Sequence, residues 1–290
     1  MEAAGGGGEV HKASNDKEEH FVLVHGAGHG AWCWFKLACL LRGSGRHRVS
    51  CVDLAGAAGS LVDPDDVRSF DEYDAPLLDL MAALPDDGRK VVLVGHSAGG
   101  LSVTHAMHLF RDKIKQAIFV AATMLPFGYQ SEQDIKDVIP PPPYCLVQLS
   151  LILYLGAPDL SEFGDDVYDL KFSLGDDRPP TSVALREEHQ RAILYQQCTH
   201  EDSTLASILL RPWPAALGAA RFGFGRADDG AVNTVRRVYV KTANDRMLKP
   251  EQQEAMVRRW PPSEVAAMDT DHSPFFSAPE RLFELIIKSL

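Results

Sequence analysis

The segment Gly95-His96-Ser97-Ala98-Gly99 sets a serine between two glycines. Val91-Val92-Leu93-Val94 before it reads as a buried strand, and Leu101 to Phe110 after it reads as an amphipathic helix. A Gly-x-Ser-x-Gly motif between strand and helix predicts a sharp, strained turn that exposes the serine hydroxyl. Side chains at the glycine positions would clash with the strand and the helix. An ordinary strand-to-helix turn is the plainer alternative. A serine hydroxyl is a weak nucleophile and needs a base, and the base needs a group to orient it. In this setting both follow the serine in chain order. Val238 to Thr242 leads into Ala243-Asn244-Asp245, and Val265 to Met268 leads into Asp269-Thr270-Asp271-His272. Of eleven histidines, only His272 lies downstream of Asp245. The expected catalytic set is therefore Ser97, His272 and Asp245, performing acyl transfer. Asp269 and Asp271 read as solvated loop residues, and either could substitute for Asp245.

The oxyanion of such a reaction needs two backbone N–H groups aimed at one point. The amide after the nucleophile, Ala98, is one candidate. The other is Ala27, in the loop His25-Gly26-Ala27-Gly28-His29-Gly30 that ends the first apolar run. Glycine-rich loops also attract phosphates. This one has neither the GxGxxG spacing nor a P-loop lysine, so no dinucleotide is expected. No cofactor and no metal is expected.

These residues must be positioned by a scaffold, and the chain reads as α/β. Apolar runs without alternation occur at Phe21 to Val24, Val49 to Val52, Val91 to Val94, Ala117 to Ala121, Val238 to Val240 and, more weakly, Val265 to Met268. Such runs suit strands buried on both faces of a parallel sheet. Helical patterns fall between them at Trp32 to Leu41, Phe70 to Leu84, Leu101 to Phe110, Pro250 to Trp260 and Glu280 to Leu290. The alternation predicts a parallel sheet flanked by helices. From about Phe127 to Phe222 no buried strand is evident, and helical patterns occur at Cys145 to Leu155, Val183 to Gln197 and Leu205 to Leu210. The expected organisation is a disordered tail at 1–19, a core formed by 20–126 and 223–290, and an inserted, mainly helical cap at 127–222. The cap is expected to line an apolar substrate pocket with Phe127, Tyr129, Tyr154, Phe163, Phe172 and Trp213. His96, beside the nucleophile, and Thr123, at a strand end beside the turn, complete the pocket candidates.

Composition narrows the function classes. The 290 residues are 45% hydrophobic and 24% charged, as in an ordinary globular chain. The net charge of −11 and the lack of any basic run argue against nucleic acid and against an anionic membrane surface. Five cysteines at irregular spacing read as reduced and mostly buried. There is no signal region, transit-peptide bias or membrane span, so the expected location is cytoplasmic. The expected partner is a small, neutral ester, with a homodimer left open.

Several segments together resemble the plant methylesterase family of α/β hydrolases. They are His20 to Ala27, His29 to Trp34, Leu93 to Leu101, Asp271-His272, and in the cap Leu194-Tyr195, Glu201-Asp202 to Leu205-Ala206, and Leu210-Arg211-Pro212. The resemblance implies the α/β-hydrolase fold and hydrolysis of methyl esters of small apolar acids such as plant hormones. It also matches Thr123 to a pocket position and places Ser273, after the catalytic histidine, at the pocket. Better-known members carry methionine where Ser273 stands. The hydroxynitrile lyases, close relatives, carry a lysine at that position and a threonine at the position of Gly26. Lyase chemistry, or ligand binding with little turnover as in receptors built on this fold, are the alternatives. The lyase is disfavoured by Gly26 and Ser273, and the receptor by the presence of all three triad residue types.

Overall fold

The computed structural model describes residues 18–45, 47–128, 158, 160–164, 166–218 and 230–290. In chain order the first half runs β1 (His20–Val24), a 3₁₀ turn (Ala31–Trp34), α1 (Phe35–Gly43), β2 (Arg48–Val52), α2 (Phe70–Ala83), β3 (Val91–His96), α3 (Gly99–Phe110) and β4 (Ile114–Val120). A middle segment holds β5 (Tyr168–Lys171), β6 (Ser182–Leu185), α4 (Glu187–Ile193), α5 (His200–Leu209) and β7 (Trp213–Pro214). The chain returns through β8 (Arg236–Thr242), α6 (Pro250–Arg259), β9 (Glu264–Met268), α7 (Pro274–Ser277) and α8 (Pro279–Lys288).

Six strands form one sheet in the order β2-β1-β3-β4-β8-β9, and every pairing is parallel. The apolar runs have no alternation because both faces are covered. Val22 and Val24 of β1 enter one buried cluster with Leu93, while Phe21 and Leu23 enter a second with Val92 and Val94. From β1 the chain crosses to β2 on one side, and the later strands are laid down on the other. At such a switch point the loops leaving neighbouring strands diverge, opening a crevice outside their carboxyl ends. The loops after β1 and β3, which carry Ala27 and Ser97, are those two.

The middle segment departs from the expectation of helix alone. It contains a three-stranded antiparallel sheet, β5-β6-β7, with α4 and α5 beside it. The helical pattern expected over Val183 to Gln197 begins inside β6, and its helix covers only Glu187–Ile193. Strands of two to four residues are too short to show a period, and cross-strand pairing decides their conformation. Asp65 fastens this sheet to the core. It accepts hydrogen bonds from Ser173 Oγ and Thr181 Oγ1, both 2.7 Å, and pairs with Lys171. Burial alone would raise its pKa, but the Lys171 ammonium and the hydroxyls of Ser173, Ser182 and Thr181 outweigh burial and hold the carboxyl well below the usual range.

The ordered core also starts earlier than residue 20. Glu19 is buried, its carbonyl accepts from Arg48 N, and its carboxylate pairs with Lys115. Residues 1–17, the remainder of the expected tail, lie outside the described residues, as does the helix expected at Cys145 to Leu155. Among the described residues, Cys33 and Cys198 are buried, Cys51 is half-buried and Cys39 is exposed, all as free thiols.

The fit of α3 against the sheet is tight. A Cβ on Gly100 would lie 2.3 Å from the Thr123 carbonyl oxygen, whereas a Cβ on Gly43, at the end of α1, would meet nothing within 4 Å. Helix propensity alone favours alanine over glycine by about 1 kcal/mol. Gly100→Ala should nevertheless destabilise by about 2 kcal/mol or more through overpacking. Gly43→Ala should be neutral or stabilising. Thermal unfolding of the two variants checks this, and an unchanged midpoint for Gly100→Ala would contradict the packing.

Candidate active site

β3 ends and α3 begins within three residues, which forces the backbone at Ser97 to φ = 51°. That conformation is costly for any residue with a Cβ and persists only where neighbours over-determine it. Here Ser97 N donates to Val120 O at 3.4 Å, and Ser97 O accepts from Gly100 N and Thr123 N, both at 3.0 Å. The flanking glycines let the turn close against the sheet. A Cβ on Gly95 would lie 2.7 Å from Val103 Cγ2, and one on Gly99 would lie 2.3 Å from His25 O.

Asp245 follows β8 and is fully buried at its carboxylate. Oδ1 accepts from Met247 N (2.9 Å) and Leu248 N (2.8 Å). Oδ2 accepts from Thr242 Oγ1 (2.9 Å) and Gln253 Nε2 (3.3 Å) and lies 2.8 Å from His272 Nδ1. With Asp245 ionised, Nδ1 carries the proton and Nε2 is left as the basic nitrogen. His272 follows β9, and its carbonyl accepts from His96 Nε2 at 2.8 Å.

The two neighbouring carboxylates differ from Asp245 and from each other. Asp269 bonds Asn244 Nδ2 at the surface. Asp271 was expected to be a solvated loop residue but is fully buried. It accepts from Ser273 N, Ser277 Oγ, Gln197 N and Cys198 Sγ. It thereby ties the turn after α4 to the loop bearing His272. Neither contacts the His272 ring in any described hydrogen bond.

Ser97, Ala98, Ala27 and His272 line one cavity of about 300 Å³. Its apolar walls come from β6 (Val183, Ala184, Leu185), from Leu194, from Leu210, Pro212 and Trp213, and from Met247 and Leu248. Its polar lining, beyond Ser97 and His272, comes from His29, Thr123, Tyr168, Gln190 and Ser207, with Asp169, Glu187 and Arg211. Thr123 and Trp213 of the expected pocket residues are there. Phe127 is elsewhere, with its ring 5.5 Å from that of His108. Phe163 packs against the core cluster on the α1 side, and Phe172, one residue past β5, is exposed. His96 and Ser273 are fully buried behind the cavity wall and do not line it. Tyr129 and Tyr154 lie outside the described residues.

Three residues that the sequence did not single out hold the loop after β1. His25 Nδ1 is 2.8 Å from Gly26 O, and His25 Nε2 accepts from Leu54 N at 3.1 Å. His29 Nδ1 is 3.1 Å from Ala27 O, and Tyr195 Oη is 2.8 Å from His29 Nε2. Burial lowers the pKa of His25 and His96 and takes His29 down to about 3, so all three stay neutral. The doubled histidine spacing in His25-Gly-Ala-Gly-His29 was the available signal. Among the described residues, no group of three or more His, Cys, Asp or Glu side chains could hold a metal ion, and no helix is long and apolar enough to cross a membrane.

The family model described as "Alpha/beta hydrolase family" matches residues 21–285. The chain is 44% identical to Methylesterase 17 of Arabidopsis thaliana over 274 residues, covering 94% of this chain and 92% of that one. It is 38% identical to Methylesterase 18 of the same plant, over 94% of this chain and 97% of the relative. The crystal structure of a methylesterase protein, MES16 from Arabidopsis, superposes with a TM-score of 0.75 at 37% identity, covering 93% of this chain and 98% of that one.

The two buried carboxylates separate by experiment. Asp245→Asn places an amide N–H₂ among donors and disturbs the imidazole tautomer, so kcat should fall by about 10⁴. Asp271→Asn should chiefly lower the unfolding midpoint, because a buried mismatched donor costs about 1–3 kcal/mol. Equal losses of kcat at equal stability would move the orienting role to Asp271.

Proposed function

The chain belongs to the alpha/beta hydrolase family and, within it, to the plant methylesterases, which are carboxylic ester hydrolases; on that premise we propose that it is a serine esterase acting on methyl esters of small apolar carboxylic acids. The observation that carries this is the buried His272–Asp245 pair, 2.8 Å apart, with His272 opening onto the cavity that Ser97 lines from its left-handed turn.

His272 Nε2 removes the Ser97 proton as Oγ attacks the ester carbonyl. Asp245 accepts the Nδ1–H and stabilises the imidazolium that forms. The carbonyl oxygen becomes an oxyanion facing the Ala27 and Ala98 amides. Collapse of the tetrahedral adduct expels the alkoxide, which takes the proton from His272 Nε2 and leaves as methanol. A water enters, His272 takes its proton, and its oxygen attacks the acyl carbon. The second adduct releases the free acid and returns the proton to Ser97 Oγ.

The cavity supports the substrate class. A volume of about 300 Å³ is at the small end for ligand sites, and its walls are mostly apolar. A small neutral ester fits such a wall better than a charged one. The lyase alternative loses support at Gly26, where any Cβ would lie 2.7 Å from Ser97 Cβ. It loses more at Ser273, which is neutral and outside the cavity lining.

Ser97→Ala should remove ester hydrolysis by about 10⁴- to 10⁶-fold with the protein still folded. The assay is a panel of small aromatic and aliphatic methyl esters, with mandelonitrile alongside. Methanol and acid should be released from at least one ester, and no cyanide from mandelonitrile. Serine-dependent cyanide release without ester turnover would replace this reading with the lyase.

A further inference from the structure

The turn from Tyr195 to Cys198 touches three of the four loops that carry the candidate catalytic groups, those after β1, β8 and β9. Tyr195 Oη reaches His29 of the loop after β1. Gln196 Nε2 donates to Asn244 O, beside Asp245, at 2.6 Å. Gln197 N and Cys198 Sγ donate to Asp271, beside His272. The contact with His29 bears on the oxyanion.

A planar trans peptide points its N–H opposite to its C=O. The direction of the Ala27 N–H is therefore set by what holds the Gly26 carbonyl, and the direction of the next amide by what holds the Ala27 carbonyl. Gly26 O accepts from His25 Nδ1 (2.8 Å) and His29 N (3.2 Å), and Ala27 O accepts from His29 Nδ1 (3.1 Å). A carbonyl oxygen can only accept, so both Nδ1 atoms carry protons. Each neutral ring then has Nε2 as an acceptor. At His25 that acceptor is filled by Leu54 N. At His29 it is filled by Tyr195, whose hydroxyl must donate. Without that donor the His29 proton is free to move to Nε2, and Nδ1 would then face the Ala27 carbonyl lone pair to lone pair.

We infer that His25 aims the Ala27 N–H through the Gly26 carbonyl, that His29 fixes Ala27 from its other side by holding the Ala27 carbonyl and with it the following peptide, and that Tyr195 locks His29 in the tautomer this requires. The inference rests on the esterase reading in that Ala27 is the oxyanion donor. His25 is locked by backbone, so it is fixed by the core alone. His29 is locked by a side chain of the middle segment, so the oxyanion site is complete only when that segment is seated. Tyr195 is fully buried and His29 nearly so. Tyr195 is not among the residues lining the cavity, and its effect must pass through His29.

The test uses a trifluoromethyl ketone, which adds to the serine and forms an oxyanion, and the methyl ketone of the same shape, which does not. Removing an oxyanion donor outright costs about 10²–10³ in kcat, and misaiming one should cost about tenfold. Tyr195→Phe should lower kcat on p-nitrophenyl acetate and trifluoromethyl ketone affinity by that same factor. KM and methyl ketone affinity should hold within about twofold. His29→Asn, which can keep an N–H on the Ala27 carbonyl, should retain more ketone affinity than His29→Leu, and this pair decides the matter if Tyr195→Phe does not fold. Unchanged trifluoromethyl ketone affinity in Tyr195→Phe, equal loss of both ketones, or His29→Asn no better than His29→Leu would each overturn the inference. A wild type that binds the trifluoromethyl ketone in the expected pattern yet hydrolyses no ester would count against the esterase reading and leave the positioning role standing.

Discussion

The left-handed backbone at Ser97 is the constraint on which the site depends. A serine at φ = 51° resists its own conformation and is held there by three hydrogen bonds and by glycines that allow α3 to sit against the strands. The same close packing explains the neighbouring loop. Gly26 must lack a side chain because Ser97 Cβ occupies the space, and Gly99 must lack one because the His25 carbonyl does. The loops after β1 and β3 are thus mutually shaped, and the cavity floor is formed where they touch. That contact falls at the switch point of the parallel sheet, where crossovers leave in opposite directions.

Buried polar groups around this floor are connected with little slack. Asp245 accepts from two backbone amides, a hydroxyl, an amide side chain and the imidazole, so its buried oxygens are fully supplied with donors. His25, His29 and His96 go the other way. Burial keeps them neutral, and each ring spends its proton on a backbone carbonyl. Asp245 holds the His272 ring, and the three neutral rings hold loop carbonyls.

What was legible in the sequence follows from the range of the interactions involved. Strands covered on both faces leave unbroken apolar runs, and a tight strand-to-helix turn leaves glycines, so the parallel sheet and the turn at Ser97 could be read directly. The contact between Asp245 and His272 could be anticipated because both residues follow strands that were themselves legible. The pocket was not. Its wall is β6 and the residues around Leu210, and β6 becomes a strand only by pairing with β5 and β7. Choosing cap aromatics by size pointed to Phe127, Phe163 and Phe172, which pack elsewhere or face solvent, while aliphatic Val183, Leu194 and Leu210 line the cavity. Asp271 was misread for a similar reason. A carboxylate in a polar loop looks solvated until the turn after α4 folds onto it and supplies the donors.

The central claim is that an acyl group passes through Ser97, and it is tested most directly by trapping that intermediate. Rapid acid quench of the protein with p-nitrophenyl acetate, followed by peptide mass spectrometry, would locate the acetyl group. A triad mechanism predicts an acetyl adduct on the peptide containing Ser97, formed within the pre-steady-state burst and lost on the timescale of turnover. Steady hydrolysis with no adduct, or with a kinetically competent adduct on any other residue, would contradict it.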